Sequence, residues 1–251
     1  MTNGSLYTNI QNGIATVEFY HEASNSFSSE LLERLTKVFN ELSKNIEVHV
    51  IVLKSEKEGV FCAGASFNEL VAISNLEEGK QFFLGFANVI NAMRKCSKII
   101  IGRVQGKAVG GGVGLAAACD YCFATEQASI KLSELTIGIG PFVIEPVVTR
   151  KMGIAAFSEL SLEATRWKTA YWAKENGLYA KVFESIKEMD GEVENLALKI
   201  SNYNPEALLE LKKVLWNGTE DWDNLLNSRA EISGSLVLSE FTKKALQKFK
   251  K

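Results

Sequence analysis

The apolar residues in the first half of this 251-residue chain alternate between strand spacing and helix spacing. Residues 14–19 alternate in polarity and are rich in β-formers, and residues 48–53 are apolar enough for a buried strand. Between them, residues 28–43 carry leucine, valine and phenylalanine at the spacing of one helix face. A strand, a helix and a second strand in this order predict mostly parallel strands with helices packed outside the sheet.

The same unit recurs before the chain changes to helices alone. The recurring elements are a helix at 77–93, a strand at 98–104, a short helix at 112–118 and two short strands at 121–124 and 130–132. The later segments with helical spacing are 153–162, 169–176, 185–201, 205–216 and 220–233. We therefore predict an α/β core over residues 1–190 and a helical region over residues 191–251.

Composition excludes several kinds of partner. The 28 Lys and Arg residues nearly balance the 30 Asp and Glu residues, so the net charge favours neither nucleic acid nor an anionic membrane. The sequence has neither a signal-peptide pattern nor a run of about eighteen apolar residues, so we expect no membrane span and a cytoplasmic protein. The cysteines lack a framework spacing and are expected to be reduced thiols.

Two loops of small residues follow predicted strands. Residues 61–65 (FCAGA) come after the strand at 48–53, although an ordinary turn would also explain them. Residues 110–112 are three consecutive glycines between the strand at 98–104 and a helix. Consecutive glycines cost backbone entropy, so we expect them where φ is positive or where the backbone must touch something. The N-terminus of the following helix also presents free N–H groups to an anion.

One carboxylate stands in a short, strand-like and largely apolar segment. Residues 131–141 (KLSELTIGIGP) place Glu134 between Leu132 and Leu135. A glutamate on a solvated surface is less expected in such surroundings, although it is compatible with them. Glu134 is therefore the candidate acid or base.

The order and spacing of these three motifs resemble the crotonase (enoyl-CoA hydratase/isomerase) family over about residues 5–183. The resemblance implies an α/β fold in which β-β-α units form a spiral, followed by helices. In that family, loops of pattern F-x-A-G-A-D and G-x-A-x-G-G-G-x-E-L-A each supply one backbone N–H to the thioester oxygen. These positions match Ala65 and Gly111, and the family's glutamate in Q-P-E matches Glu134.

The resemblance also implies a ligand and an assembly. The substrate would be an acyl-CoA thioester, with coenzyme A as part of the substrate and no separate cofactor or metal. The implied substrate and CoA contacts are Ala63, Gly64, Phe67, Gly110, Gly114 and Pro141. The C-terminal helices would build a homotrimer or a dimer of trimers. Lys243, Lys244 and Lys248 would approach a CoA phosphate, or they would form a solvated basic helix end.

The sequence departs from the family pattern at positions that bear on the reaction. Hydratases have a glutamate in G-G-G-x-E where this chain has Gly114. A single carboxylate favours double-bond isomerisation, in which Glu134 removes a proton from one carbon and returns it to another. Hydration stays open if another group, with Glu145 the nearest in sequence, orients the water. Phe142 stands where some dienoyl isomerases have an aspartate, and Ser66 replaces the aspartate after A-G-A.

Other functions are also compatible with parts of the sequence. A crotonase homologue that is a decarboxylase, or that binds acyl-CoA without turnover, would also lack the second glutamate. Residues 112–117 (GVGLAA) fit the dinucleotide pattern G-x-G-x-x-A, although not in an N-terminal βα turn. Cys119 and Cys122 have the spacing of a redox or metal pair, but residues three apart on a strand face opposite sides. His21 and His49 are the only histidines and give little support to a hydrolytic triad.

Overall fold

A computed structural model describes residues 4–248 and contains both strand and helix layers. The strands are β1 (Ser5–Gln11), β2 (Ile14–Tyr20), β3 (Val50–Ser55), β4 (Ile99–Val104), β5 (Ala108–Val109), β6 (Tyr121–Thr125), β7 (Ile130–Lys131) and β8 (Lys181–Phe183). The helices are α1 (Ser29–Lys44), α2 (Phe67–Ala72), α3 (Leu76–Lys95), α4 (Gly111–Ala118), α5 (Glu145–Leu162), α6 (Ala170–Glu175), α7 (Ile186–Ser201), α8 (Pro205–Leu215), α9 (Trp222–Val237) and α10 (Glu240–Gln247).

The main sheet has six strands in the order β1-β2-β3-β4-β6-β8. β1 and β2 form an antiparallel hairpin that turns at Asn12 and Gly13, both with positive φ as a tight hairpin turn requires. All the other neighbours in this sheet are parallel, and α1 and α3 supply crossovers between them. The predicted parallel α/β arrangement is confirmed.

Both faces of the main sheet are covered, which explains why its strands are apolar throughout. Ile51 and Leu53 of β3 lie in the larger core together with apolar residues of α1 and α3. The alternating residues Val50 and Val52 pack on the other face, in a smaller core with residues of α7 and α8. Successive side chains of one strand thus contribute to two separate cores, because they point to opposite faces of the sheet.

A second, smaller sheet joins the loops that follow the main strands. β5 and β7 pair in parallel, and isolated parallel bridges link Phe27 to Ala65 and Cys62 to Ala108. Backbone pairing therefore brings together residues 27, 62–65, 108–109 and 130–131, which are far apart in sequence. The loops that the sequence singles out lie in this sheet or beside it.

The helices after residue 190 pack on the α/β core of the same chain. α9 lies along α3 so closely that a methyl group at Gly79 would be 2.7 Å from the carbonyl oxygen of Gly234. α7 spans the boundary predicted near residue 190, and that boundary stays a prediction. No helix in the described part of the chain is long and apolar enough to cross a membrane.

Several elements differ from those predicted. β1, α2 and β8 lie outside the predicted elements, and α5 begins at Glu145 with a non-helical Gly153 (φ 81°) at the point where we predicted its start. The strand-like reading of residues 131–141 is wrong beyond Lys131, because Glu134–Ile137 forms a 3-10 helix. Local apolar spacing does not distinguish a short strand from a single tight turn.

Candidate active site

One cavity of about 610 Å³ contains nearly all the residues that the sequence singles out. Its lining comes from segments that lie far apart in the chain: residues 21–26, 63–70, 83–86, 109–111 and 131–144, together with Ser233 of α9. Backbone pairing in the small sheet holds the loop at residues 61–65 against the segment that leads into the glycine triplet at residues 110–112. The site is therefore a product of the tertiary fold.

The loop at residues 61–65 and the loop before α4 are in direct backbone contact. Val109 N–H donates to Cys62 O at 2.9 Å. Gly64 has a φ of +89°, and a β-carbon there would lie 2.8 Å from Val109 O and 3.5 Å from Gly111 N. Glycine is required at Gly64 for both reasons, conformation and space. This contact brings Ala65 close to Gly111.

Ala65 and Gly111 each present a free backbone N–H. Phe27 N–H donates to Gly64 O at 2.7 Å and Ser66 N–H donates to Phe27 O at 2.8 Å, so the pairing leaves the Ala65 N–H directed away from Phe27. Gly111 is the first residue of α4, where an N–H has no intrahelical acceptor. Within the described residues, neither N–H donates a hydrogen bond. Both residues line the cavity.

Glu134 lies directly beside this pair of loops. It begins the 3-10 helix, and its Oε1 would be 2.7 Å from a β-carbon at Gly110, whose φ is +53°. Its Oε2 is buried and has no hydrogen-bond partner in the described structure. Burial raises the pKa of Glu134 from 4.5 to about 7, and its own backbone N–H offsets this only in part. The carboxyl group can therefore accept or donate a proton near neutral pH.

The C-terminal helix α10 holds the 3-10 helix in place. Gly138 ends the 3-10 helix in the left-handed conformation, with a φ of +83°. A β-carbon there would lie 2.6 Å from Oγ1 of the fully buried Thr242, so α10 packs on the backbone of this turn. The backbone that carries Glu134 is thus restrained by a helix more than one hundred residues later.

A strained turn at Ser24 and Asn25 supports the loop at residues 61–65. Ser24 and Asn25 are consecutive non-glycine residues with positive φ, at +54° and +56°. The Asn25 side chain accepts from His21 N–H at 2.9 Å and donates to Val60 O at 2.8 Å. Ser24 O accepts from Ala63 N–H at 3.1 Å. The Asn25 amide thus holds in place a turn whose backbone conformation is unfavourable for both residues.

All the predicted site residues except Gly114 line this cavity. Those that do are Ala63, Gly64, Ala65, Phe67, Gly110, Gly111, Glu134 and Pro141. Gly114 is buried beneath Ile144, because a β-carbon at Gly114 would lie 2.8 Å from Cβ of Ile144. Ile144 therefore lies between Gly114 and the cavity, so Gly114 is not part of the lining, and its predicted contact with substrate stays a prediction.

Sequence reasoning missed the residues that make one part of the cavity apolar. These are Leu70, Phe83, Phe86, Ile137, Ile139, Val143 and Ile144. Phe83 and Phe86 follow the helical spacing of α3, which predicts a buried face but not which buried residues border an open space. His21, Ser24, Ser26, Lys131 and Ser233 also line the cavity and were not predicted to do so.

The residues behind two of the alternative functions considered from the sequence lie outside the cavity lining. Glu145 lies outside the cavity lining, accepts from Thr149 Oγ1 at 3.0 Å and pairs with Arg229 Nη2 at 3.4 Å. Gly112 and Gly114 of the dinucleotide pattern pack against Cys62 and Ile144, so no pyrophosphate fits beside them.

The geometry predicted for the Cys-x-x-Cys pair is wrong. Cys119 ends α4 rather than lying on a strand, and both thiols face Gly102, with sulfurs 2.9 Å and 2.7 Å from its β-carbon position. Both cysteines are buried free thiols. No group of three or more potential metal ligands occurs among residues 4–248. His49 has a structural role in the described chain, with its Nδ1 2.7 Å from Ser201 O.

The chain belongs to the enoyl-CoA hydratase/isomerase family, whose model matches residues 9–250. It is 30% identical over 211 residues to the peroxisomal Delta(3,5)-Delta(2,4)-dienoyl-CoA isomerase of Arabidopsis thaliana. The alignment covers 78% of this chain and 74% of that protein. It is also 28% identical over 240 residues to a probable enoyl-CoA hydratase of Bacillus subtilis strain 168. That alignment covers 94% of this chain and 92% of that protein.

A solved structure shows the same fold. The crystal structure of the enoyl-CoA hydratase from Bacillus halodurans matches with a TM-score of 0.90 at 22% identity, covering 97% of this chain and 99% of that chain. The predicted crotonase fold and family are confirmed. The protein is an enzyme of the enoyl-CoA hydratase/isomerase class.

Proposed function

We propose that this cavity binds an enoyl-CoA thioester and that Glu134 moves a proton along its acyl chain, shifting the position of a double bond. The observation that carries the proposal is the number of carboxylates. Glu134 is the only one among the described residues that line the cavity, and one of its oxygens has no partner there. One carboxyl group is sufficient for a proton shuttle, whereas hydration by two carboxyl groups needs a second.

The reaction proceeds in two proton transfers. Ionised Glu134 removes a proton from C2 of a 3-enoyl thioester, and the C–H electron pair moves into a dienolate with negative charge on the thioester oxygen. Protonated Glu134 then returns that proton to C4, which leaves a 2-enoyl thioester and regenerates the carboxylate. No atom is gained or lost, and no separate cofactor or metal takes part. A pKa of about 7 suits both steps near neutral pH.

The N–H groups of Ala65 and Gly111 would hold the thioester oxygen in this mechanism. They are free within the described structure, border the same cavity and are fixed by the contact between their two loops. Donors arranged before the reaction stabilise the charge that develops on that oxygen, and losing one typically costs about 3–4 kcal/mol in the transition state. Ala63, Gly64, Phe67, Gly110 and Pro141 would contact the CoA arm or the acyl chain.

Hydration is the second candidate because relatives are named enoyl-CoA hydratases. It requires a group that orients water, and Glu145 is instead bound to Thr149 and Arg229. One relative is named a dienoyl-CoA isomerase, but Phe142 lines the cavity where the resemblance places that reaction's aspartate. These observations support simple enoyl-CoA isomerisation over both alternatives. A decarboxylase and an acyl-CoA-binding protein without turnover remain the outcomes to be separated by experiment.

Product analysis tests the proposal. The protein is incubated separately with 2-enoyl-, 3-enoyl- and 3-hydroxyacyl-CoA esters, and the products are identified by mass and by chromatography. We expect interconversion of 2-enoyl and 3-enoyl esters, with little 3-hydroxyacyl-CoA formed. Glu134→Gln should slow this interconversion about 10²- to 10⁴-fold, and Glu145→Gln is the matched control that should not slow it. Rapid formation of 3-hydroxyacyl-CoA that depends on Glu145 would instead establish a hydratase.

The assembly and the location are proposals of the same kind. A homotrimer or dimer of trimers is expected from the resemblance, and light scattering coupled to size-exclusion chromatography measures it. Lys243 and Lys244 are exposed on α10, where they could reach a CoA phosphate bound by the same subunit or a neighbouring one. A cytoplasmic location is proposed from the sequence, and fractionation of cells tests it.

A further inference from the structure

Two side chains that line the cavity rest on glycines of α4. A methyl group at Gly111 would lie 2.8 Å from Cδ1 of Phe86, and one at Gly114 would lie 2.8 Å from Cβ of Ile144 and closer still to Cγ2. Contacts this short do not occur between real carbon atoms, so a larger residue at Gly114 would displace Ile144. The position of Ile144 in the cavity therefore depends on the absence of a side chain at Gly114.

Phe86 and Ile144, the two side chains that rest on these glycines, contact α4 at two different levels along its axis. The two glycines are three residues apart on the same side of α4, which separates them by about 4.5 Å along the helix axis. The N–H of Gly111 is the proposed donor to the thioester oxygen. An acyl chain that runs along α4 from this carbonyl reaches Ile144 after a few methylene groups.

The residues of the cavity lining that flank Ile144 in sequence are largely apolar. Ile139, Val143 and Ile144 border the cavity and are nearly inaccessible to solvent, with exposures of 3–4%. The adjacent Glu145 carboxylate is bound to Thr149 and Arg229, outside the lining. The Ser233 hydroxyl, contributed by α9, donates a hydrogen bond to Arg229 O at 3.1 Å.

We propose that Ile144, seated on Gly114, is the specificity-determining residue of the acyl end of the cavity. It selects an unsubstituted apolar acyl chain and sets the greatest length that the cavity accepts. The inference rests on the proposed function, because it takes the thioester carbonyl to lie at Gly111. It differs from that proposal in concerning which acyl chains are used, not how they react.

The test measures kcat/KM for straight-chain 3-enoyl-CoA esters from four to twelve carbons. Ile144→Ala should raise the ratio of long-chain to short-chain kcat/KM roughly tenfold, since one methylene group in an apolar pocket is worth about that factor. Gly114→Ala should lower the same ratio roughly tenfold, because Ile144 is pushed into the cavity. In the double variant the two changes should compensate, because the residues are in contact.

Binding without turnover provides a second measurement. In a Glu134→Gln background, the affinity for saturated acyl-CoA esters of increasing length is measured by calorimetry, with and without Ile144→Ala. We expect the longest esters to gain affinity on this substitution and the shortest to show little change. This arm does not depend on Gly114→Ala folding, which circular dichroism and thermal melting check separately.

The outcomes separate this inference from the proposed function. If Glu134→Gln is inactive but Ile144→Ala leaves both length profiles unchanged, the role of Ile144 is wrong and the isomerase proposal stands. If Glu134→Gln is as active as the parent, the proposed function fails whatever the length profiles show. Better use of branched or hydroxylated chains than of straight ones by the parent protein would also overturn the inference.

Discussion

Two buried carboxylates in this protein have opposite environments. Asp120 accepts hydrogen bonds from Lys212 Nζ at 2.6 Å, Trp216 Nε1 at 2.7 Å and Ile100 N–H at 2.8 Å, and its side chain is 2% exposed. These partners join β4 to α8. Glu134 also has a buried oxygen, but that oxygen has no partner among the described residues. Both carboxylate oxygens of Asp120 thus accept hydrogen bonds from the protein, whereas Glu134 faces a cavity.

The difference teaches where this fold tolerates an unsatisfied charge. A buried polar group without a partner costs stability, so such groups are few in native proteins. At Asp120 the desolvation is offset by an ammonium, an indole N–H and a backbone N–H. At Glu134 only its own backbone N–H offsets the desolvation, and the remaining cost appears as a pKa raised to about 7. A substrate that presents a proton would supply the missing partner.

Glu134→Gln and Asp120→Asn each replace a carboxylate with the corresponding amide, so the two variants compare the two environments directly. The largest expected effect is on turnover. If Glu134 is the general acid and base, as proposed, Glu134→Gln should lower kcat about 10²- to 10⁴-fold. Asp120→Asn should keep kcat per folded molecule, since Asp120 lies outside the cavity lining. Stopped assays with 3-enoyl-CoA measure both. Equal losses in the two variants would remove the distinction between the two carboxylates.

The next effect is on stability. Asp120→Asn leaves the Lys212 ammonium, which is 3% exposed, without its charged partner. Breaking a buried ion pair in this way typically costs about 3–5 kcal/mol of unfolding free energy. Urea unfolding followed by circular dichroism measures this. A cost below about 1 kcal/mol would mean that the contacts of Asp120 contribute little to holding α8.

Glu134→Gln should change stability in the opposite direction, and the change should depend on pH. The folded-state pKa of about 7 lies above the usual 4.5, so ionisation of Glu134 disfavours the folded state progressively from about pH 4.5 to pH 7. The glutamine variant avoids this penalty, which corresponds to at most about 3 kcal/mol above pH 7. Melting temperatures at pH 5 and pH 8 should therefore agree at the lower pH and favour the variant at the higher pH.

The smallest effect is the pH dependence of the parent enzyme. If ionised Glu134 removes the first proton, kcat/KM should fall about tenfold for each pH unit below the pKa of about 7 and level off above it. Initial rates across the range from acid to neutral pH measure this dependence, with a substrate that does not itself titrate. An acid limb near pH 4.5 would show that Glu134 is not desolvated in the active form.

Much of the fold could be predicted from the sequence because its signals are local. The helical spacing of residues 28–43 and 77–93 corresponds to α1 (Ser29–Lys44) and α3 (Leu76–Lys95), and the apolar run at 98–104 to β4 (Ile99–Val104). Long amphipathic segments bury one face whatever they pack against. The elements α2, β5 and β8 were missed, since a few residues carry too little periodicity. β1 was missed because none of its residues is buried and it therefore lacks an alternating apolar pattern.

The sequence by itself determined the longer elements, the family and the candidate residues Ala65, Gly111 and Glu134, because a long periodic segment, a glycine triplet and a carboxylate among apolar residues can each be recognised within a short stretch of sequence. Only the tertiary structure decided that Ile144 covers Gly114, that Glu145 is bound to Arg229 and that Oε2 of Glu134 has no hydrogen-bond partner within residues 4–248. Each of these depends on which residues lie within a few ångströms across separate segments. Burial, pairing and pKa are properties of that neighbourhood, and no spacing along the chain specifies them.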